Sequence, residues 1–212
     1  MQWGFLWCKA FISAFVGGLG SGKTHIFVRR AFERHVNKRG KKGKSHGLVV
    51  YPTFGLAEEL FIPPFLELLE AEGIKYKYNI SKHTISTRYG TVNIYQLVTP
   101  QKIVGSSYTW AGFDEFDIGS WKNCHMAFTK VIGRMRGCED PEIFFVTSPE
   151  GQHYTYKVFV TDNDGSRKLF KAKTTDNVHL PEVYVQNMEE NYDSRLIMAY
   201  RDGEFVNLTQ GQ

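Results

Sequence analysis

GGLGSGKT, residues 17–24, lies between an apolar run, AFISAFV (10–16), and a segment with helical periodicity, HIFVRRAFERHV (25–36). It satisfies G-x-x-x-x-G-K-[ST] in the context the motif needs, a strand before it and a helix after it. Glycines let backbone N–H groups turn inward around phosphate oxygens, and a helix N-terminus behind them adds its dipole. The spacing therefore predicts that Gly17, Gly18, Leu19, Gly20, Ser21 and Gly22 cradle a nucleotide's phosphates. Lys23 reaches the β and γ phosphates, and Thr24 offers its hydroxyl to Mg²⁺.

Binding becomes turnover only with a carboxylate for the metal and a base for water. SYTWAGFDEFD (107–117) is a largely apolar strand that delivers Asp114 and then Glu115 at its end. Asp114 is expected to hold the metal through water, and Glu115 to polarise the attacking water. That pair is what an ATPase of the additional-strand, catalytic-glutamate class requires. A third buried strand, PEIFFVTSPEG (141–151), ends in Thr147, Ser148 and Pro149. With the phosphate-loop strand and the acidic strand taken as neighbours, a polar side chain there is expected to report whether the γ-phosphate is present.

Around these landmarks the order is strand, glycine loop, helix, basic loop, strand (47–54), then a helical stretch (55–73) that Pro63-Pro64 should kink or split. Alternating segments over 74–98 predict a hairpin or short meander, and 120–137 is helical. The fold class is thus α/β: a P-loop NTPase with a mostly parallel sheet flanked by helices. Residues 1–151 are assigned to the core and 152–212 to a small lid or linker subdomain. Within the latter, YTYKVFVTDNDGSRKLFKAKTT (154–175) predicts a hairpin around Asn163-Asp164-Gly165, and 180–205 predicts two short helices.

With 212 residues, 42% hydrophobic and 15% aromatic, the chain can bury a substantial core. Its three cysteines, Cys8, Cys124 and Cys138, show neither CxxC nor Cys/His spacing, so a disulfide framework and a zinc site are not expected and a reducing compartment fits. His125 and His153 stand apart from other ligands and are read as structural or surface residues. No apolar run reaches the length of a membrane span, and the N-terminus lacks a basic region and cleavage site. The net charge of +4 is unevenly placed: NKRGKKGK (37–44) carries Lys38, Arg39, Lys41, Lys42 and Lys44 with no acid. Such a run is either a solvated flexible loop or a contact for DNA.

With GGLGSGKT, FDEFD and TSP in this order, the chain resembles the N-terminal ATPase domain of the large terminase subunit of tailed double-stranded DNA phages. They correspond to the family's Walker A loop, Walker B strand with catalytic glutamate, and coupling motif. TTDNVHLP (174–181) is similar to the family's T-x-x-N-x-x-L-P segment, and the helices after it end in a similar GEF (203–205). The resemblance implies a homo-oligomeric ring, monomeric subunits in isolation, that hydrolyses ATP with Mg²⁺ and moves double-stranded DNA into a procapsid. Portal protein and small terminase subunit are the implied partners, and the host cytoplasm the implied location. It also implies a C-terminal nuclease, which the residues here are not expected to supply; Asp162 and Asp164 fit a turn better than a metal pair.

Two of the family's features are displaced. Where an arginine acting in trans is expected before Walker B, PQKIVGSSY (100–108) offers only Lys102; Arg134 and Arg136, after Walker B, are the alternatives, or serve only to complement a helix dipole. The adenine-contacting glutamine corresponds to Gln2, with Trp3 and Trp7 nearby, which as aromatics are otherwise read as core. Competing readings are a helicase-like ATPase, which needs a second lobe, and a nucleotide-gated DNA-binding assembly protein without turnover, which has little use for Glu115. A small GTPase is disfavoured by the lack of an [NT]KxD motif.

Overall fold

The computed structural model describes residues 1–149 and 151–206. β1 (Ile12–Gly17) enters the glycine loop, and α2 (Lys23–Asn37) leaves it; a one-turn helix, α1 (Gln2–Leu6), precedes both. Strand periodicity splits β1 cleanly. Phe15 faces one side of the sheet with Phe27, Ala31 and Phe144, while Ile12, Ala14 and Val16 face the other with Phe113 and Phe145. Both faces are covered, which is why the parallel strands are nearly continuous apolar runs rather than alternating ones.

β2 (Ser45–Tyr51) follows the basic loop, and then α3 (Phe54–Leu60) and α4 (Ile62–Ala71). Pro63-Pro64 do split the helical stretch: they occupy the first turn of α4, where a missing N–H costs nothing. β3 (Tyr76–Asn79), β4 (Thr84–Thr87) and β5 (Gly90–Gln96) form the expected antiparallel meander, whose last strand pairs parallel to β2. β6 (Trp110–Asp114), α5 (Trp121–Ile132) and β7 (Glu142–Thr147) complete the centre.

The sheet has eight strands in the order β3-β4-β5-β2-β6-β7-β1-β8. The phosphate-loop strand β1 and the acidic strand β6 are therefore not neighbours, contrary to expectation: β7 lies between them, with Val16 opposite Thr147 and Val146 opposite Asp114. All three strand ends that carry functional residues consequently emerge on one edge.

The hairpin expected over 154–175 does not form. Tyr154, Val158 and Phe159 share a helical stripe and pack on the α5 side of the sheet, so this segment is helical: α6 (Tyr154–Tyr156) runs on as a π-helical turn, Lys157–Thr161. Burial of that stripe outweighs the local alternation. Asn163 still makes a turn, accepting from the N–H groups of Gly165 and Arg167. The chain then enters β8 (Lys168–Ala172), which pairs parallel to β1. The sheet thus extends past residue 152 into the stretch read as a separate subdomain, whose last six residues lie outside those described. α7 (Glu182–Asn191) and α8 (Ser194–Leu196), the latter continued as a π-helical turn Ile197–Arg201, supply the two expected short helices.

Candidate nucleotide site

The glycine loop folds around its own carbonyls. Gly20 and Gly22 adopt positive φ (74° and 82°), a conformation that costs a side-chain-bearing residue about 1 kcal/mol or more. Lys23 Nζ and Ser21 Oγ both donate to the Gly18 carbonyl, at 2.9 and 2.7 Å. Lys23 is buried, whereas Thr24 on the next position of α2 is half-buried. Gln2 reaches the loop from α1: its Nε2 donates to the Ser21 carbonyl at 3.0 Å, close against Gly22. Trp3 and Trp7, by contrast, are not core; they are 74% and 52% exposed, because Phe5 and Leu6 take the inward face of α1.

A clasp grips the loop from outside, and it is built from the T-x-x-N-x-x-L-P segment. Thr174 Oγ1 lies 2.7 Å from the Leu19 carbonyl and 2.8 Å from that of Tyr200. Asn177 Nδ2 donates to the Gly20 carbonyl at 2.7 Å, and Leu180 packs beside Gly20. The Leu19 N–H donates to the Tyr200 carbonyl at 2.7 Å. A Cβ on Gly18 would sit 2.4 Å from the Tyr200 carbonyl oxygen, so only glycine admits this approach. The resemblance pointed to this segment without its target, which is the carbonyls of Leu19 and Gly20.

Across β7 stands the acidic tip. Asp114 is buried, and its carboxylate accepts from the Tyr51 hydroxyl at 2.6 Å and from the Glu115 N–H at 3.0 Å. Burial raises the Asp114 carboxyl to about 7, against the opposing pull of the Tyr51 hydrogen bond and of Lys23. A carboxylate this poorly solvated gains from a cation placed beside it. No cluster of three or more His, Cys, Asp or Glu able to hold a metal occurs among the described residues. Thr24 and Asp114 are the residues that could hold a magnesium ion, together with the nucleotide's own oxygens. Glu115 has φ 48° and ψ 43°, a left-handed turn that is uncommon for a glutamate and ends the strand abruptly.

Asp117, which the sequence reading did not single out, closes the tip. Its N–H donates weakly to Thr147 Oγ1 at 3.5 Å, and its carboxylate accepts from the Thr155 N–H at 2.9 Å at the start of α6. Burial raises its carboxyl to about 6. Thr147, Ser148 and Pro149 are buried at the end of β7, between the two functional strands. Tyr51 and Asp117 had no visible signal because each acts through a tertiary contact from an unremarkable local context.

The remaining candidates lie elsewhere. Arg134 donates from Nε to the Ile103 carbonyl and Arg136 from Nε to Ser107 Oγ, beyond the C-terminal end of α5 and at the sheet edge opposite the glycine loop. Lys102 is exposed on the connection between β5 and β6. None of the three sits at this chain's own phosphate loop. Lys38 cannot contact DNA as expected: its side chain is buried and paired with Glu142 at 2.8 Å and Asp140 at 3.1 Å. Arg39, Lys41, Lys42 and Lys44 are exposed. The loop carrying them is not loose, since the Lys41 N–H donates to the Gly137 carbonyl and that of Gly40 to the Lys44 carbonyl.

A glycine loop feeding a helix at one edge of an eight-stranded α/β sheet, with an acidic strand two places along from the strand before the loop, defines a P-loop NTPase fold. The chain belongs to the phage terminase large subunit family: residues 14–212 match the model for the terminase large subunit, T4likevirus-type, N-terminal. Among solved structures it is similar to the large terminase of a thermophilic bacteriophage in complex with ADP, with TM-score 0.77 at 18% identity over 97% of this chain and 53% of that one. The large terminase ATPase domain of Thermus phage P74-26 gives TM-score 0.75 at 15% identity, covering 97% and 92% of the two chains. The chain thus spans about half the length of the ADP-bound terminase. No curated protein matches it in sequence. No helix among the described residues is long and apolar enough to cross a membrane.

Proposed function

We propose that this chain is the Mg²⁺-dependent ATPase domain of a genome-packaging motor, in the additional-strand, catalytic-glutamate class, working in the cytoplasm of the infected host. The observation that carries this is the convergence, on one sheet edge, of Asp114 and Glu115 at the end of β6, Thr147 at the end of β7 and Lys23 at the start of α2, which follows β1, in the strand order β6-β7-β1. A thermophilic-phage large terminase of similar fold is described in complexes with ADP and with ATP-γ-S, which supports nucleotide binding by this fold.

In this reading Lys23 leaves the Gly18 carbonyl for the β and γ phosphates. The loop N–H groups compensate the remaining charge, and Gln2 borders the adenine. Thr24 and Asp114 would hold a magnesium ion, which would offset the charge of the phosphate oxygens. Glu115 orients a water in line with the γ-phosphorus and takes its proton: as the new P–O bond forms, the bond to the β–γ bridging oxygen breaks, and ADP and phosphate leave. Thr147 and Ser148, one strand from both partners, respond to loss of the γ-phosphate, and Asp117 passes that change to α6. With none of Lys102, Arg134 or Arg136 at the chain's own loop, a second cation comes from a neighbouring subunit of the ring, and such a finger contributes on the order of 10³ to 10⁵ in rate. Double-stranded DNA, the portal protein and the small terminase subunit are the corresponding partners.

Phosphate release measured over a dilution series, with and without duplex DNA, tests this reading. Specific activity is expected to rise steeply with protein concentration and to favour ATP. The same rate per subunit in dilute monomer, verified by light scattering, would rule out a finger in trans; no hydrolysis under any condition would leave a nucleotide-gated binding protein.

A further inference from the structure

At the sheet edge away from the glycine loop, the starts of β2, β5 and β6 and the end of β4 enclose a groove of about 710 Å³. Lys41, Lys42, Lys44 and Arg136 line it, together with hydroxyls such as those of Thr91 and Thr109, and no aspartate or glutamate among the described residues does. Two further guanidinium groups flank it: Arg39 and Arg88 lie over the ring of Tyr89, at 5.1 and 4.8 Å from its centroid. Six cations on one face exceed the +4 net charge of the whole chain. Hydrogen bonds shape the arrangement: Gly43 N–H donates to the Gly40 carbonyl at 2.8 Å, Lys44 Nζ to the Arg88 carbonyl at 2.6 Å and Arg136 Nε to Ser107 Oγ at 3.0 Å.

Like charges gathered with no acid lining the groove repel, and a ligand of repeating negative charge relieves them all together, which a single small anion does not. Hydroxyl and guanidinium donors around an open groove suit phosphate oxygens. We infer that this groove binds the phosphodiester backbone of a nucleic acid, at the end of the sheet opposite the nucleotide. The inference rests on the motor reading above and adds where the polymer is held. It also gives α2 a role: this helix begins at Lys23 in the glycine loop and ends at Asn37, directly before the basic loop. At 1.5 Å per residue it is a rod of about 22 Å joining the two sites. Lys38, buried against Glu142 and Asp140, anchors its end rather than touching the polymer.

The test is fluorescence anisotropy of labelled duplex DNA, single-stranded DNA and duplex RNA binding to the whole chain across a salt series, for the wild type and Lys41→Glu/Lys42→Glu. The double variant is expected to bind at least tenfold more weakly at low salt. Its plot of log affinity against log salt should be shallower by about 2, the loss of two phosphate contacts. The polymer that loses most affinity is the occupant. Binding of a fluorescent ATP analogue serves as the folding control, and DNA should shield Lys41 and Lys42, but not the exposed Lys75, from acetylation. Unchanged affinity and slope in the variant, or no shielding, would overturn the groove assignment and leave the ATPase reading standing. Absence of ATP turnover in the wild type, with groove binding intact, would remove the ATPase reading alone.

Discussion

His35 shows how much a single buried side chain can set. It sits on α2 with no exposed surface, Nε2 2.8 Å from Thr87 Oγ1, its ring edge-on to Phe65 and Tyr89. Burial, and secondarily Arg39, pulls its pKa from 6.5 to about 4. The folded protein thus keeps the ring neutral where the unfolded chain takes up a proton. The stability this contributes is present above pH 6.5 and is lost as the pH falls toward 4. At 1.36 kcal/mol per pKa unit, going from pH 7 to pH 5 should cost the wild type about 2 kcal/mol more than a His35→Phe variant, which cannot titrate there. Urea unfolding at the two pH values checks it; parallel losses in both proteins would show that His35 is not the group responsible.

Among the elements, α2 depends on one carboxylate. Arg30, Arg34 and Lys38, spaced four apart on one face, all donate to Glu142 at the start of β7, at 3.2, 2.6 and 2.8 Å. Burial would raise the Glu142 carboxyl, but the three cations more than reverse this and hold it below its usual range. Glu142→Ala leaves those cations buried beside one another, so the expected loss is about 3–5 kcal/mol, read as a lower urea midpoint. A loss under about 1 kcal/mol would mean that the cluster relaxes into solvent and does not hold α2 to β7. Elements differ sharply in how legible they were. The glycine loop, Asp114, Glu115 and the strand ending at Thr147 announce themselves through local composition, because phosphate and metal chemistry restricts residue types at fixed spacing. The position of β7 between β1 and β6 did not, since pairing order is a tertiary property. β8 was misread as half of a hairpin because its alternation is equally compatible with a parallel edge strand. Lys38 was misread because a charge run hides which member turns inward.

For the whole molecule, the sheet separates two kinds of work by its own length. At the strands' C-terminal edge lie the glycine loop, its clasp from Thr174, Asn177 and Tyr200, and the acidic tip; at the opposite edge lies the basic groove. Both α2 and β7 run the full distance, and Glu142 ties them together at the groove end. In the proposed motor, these two elements are the ones that could carry a change at the γ-phosphate to the far edge. In the function proposed above, the edge with the glycine loop binds and hydrolyses ATP, with Lys23 and Glu115 in separable roles. The most direct measurement pairs equilibrium binding of a fluorescent ATP analogue with steady-state phosphate release for the wild type, Lys23→Ala and Glu115→Gln. Lys23→Ala should lose both binding and turnover, because phosphate charge is no longer compensated. Glu115→Gln should bind within about twofold of the wild type and lose roughly 10²-fold or more in turnover, within the range expected for a general base. Undiminished hydrolysis by Glu115→Gln, or wild-type affinity in Lys23→Ala, would contradict the account.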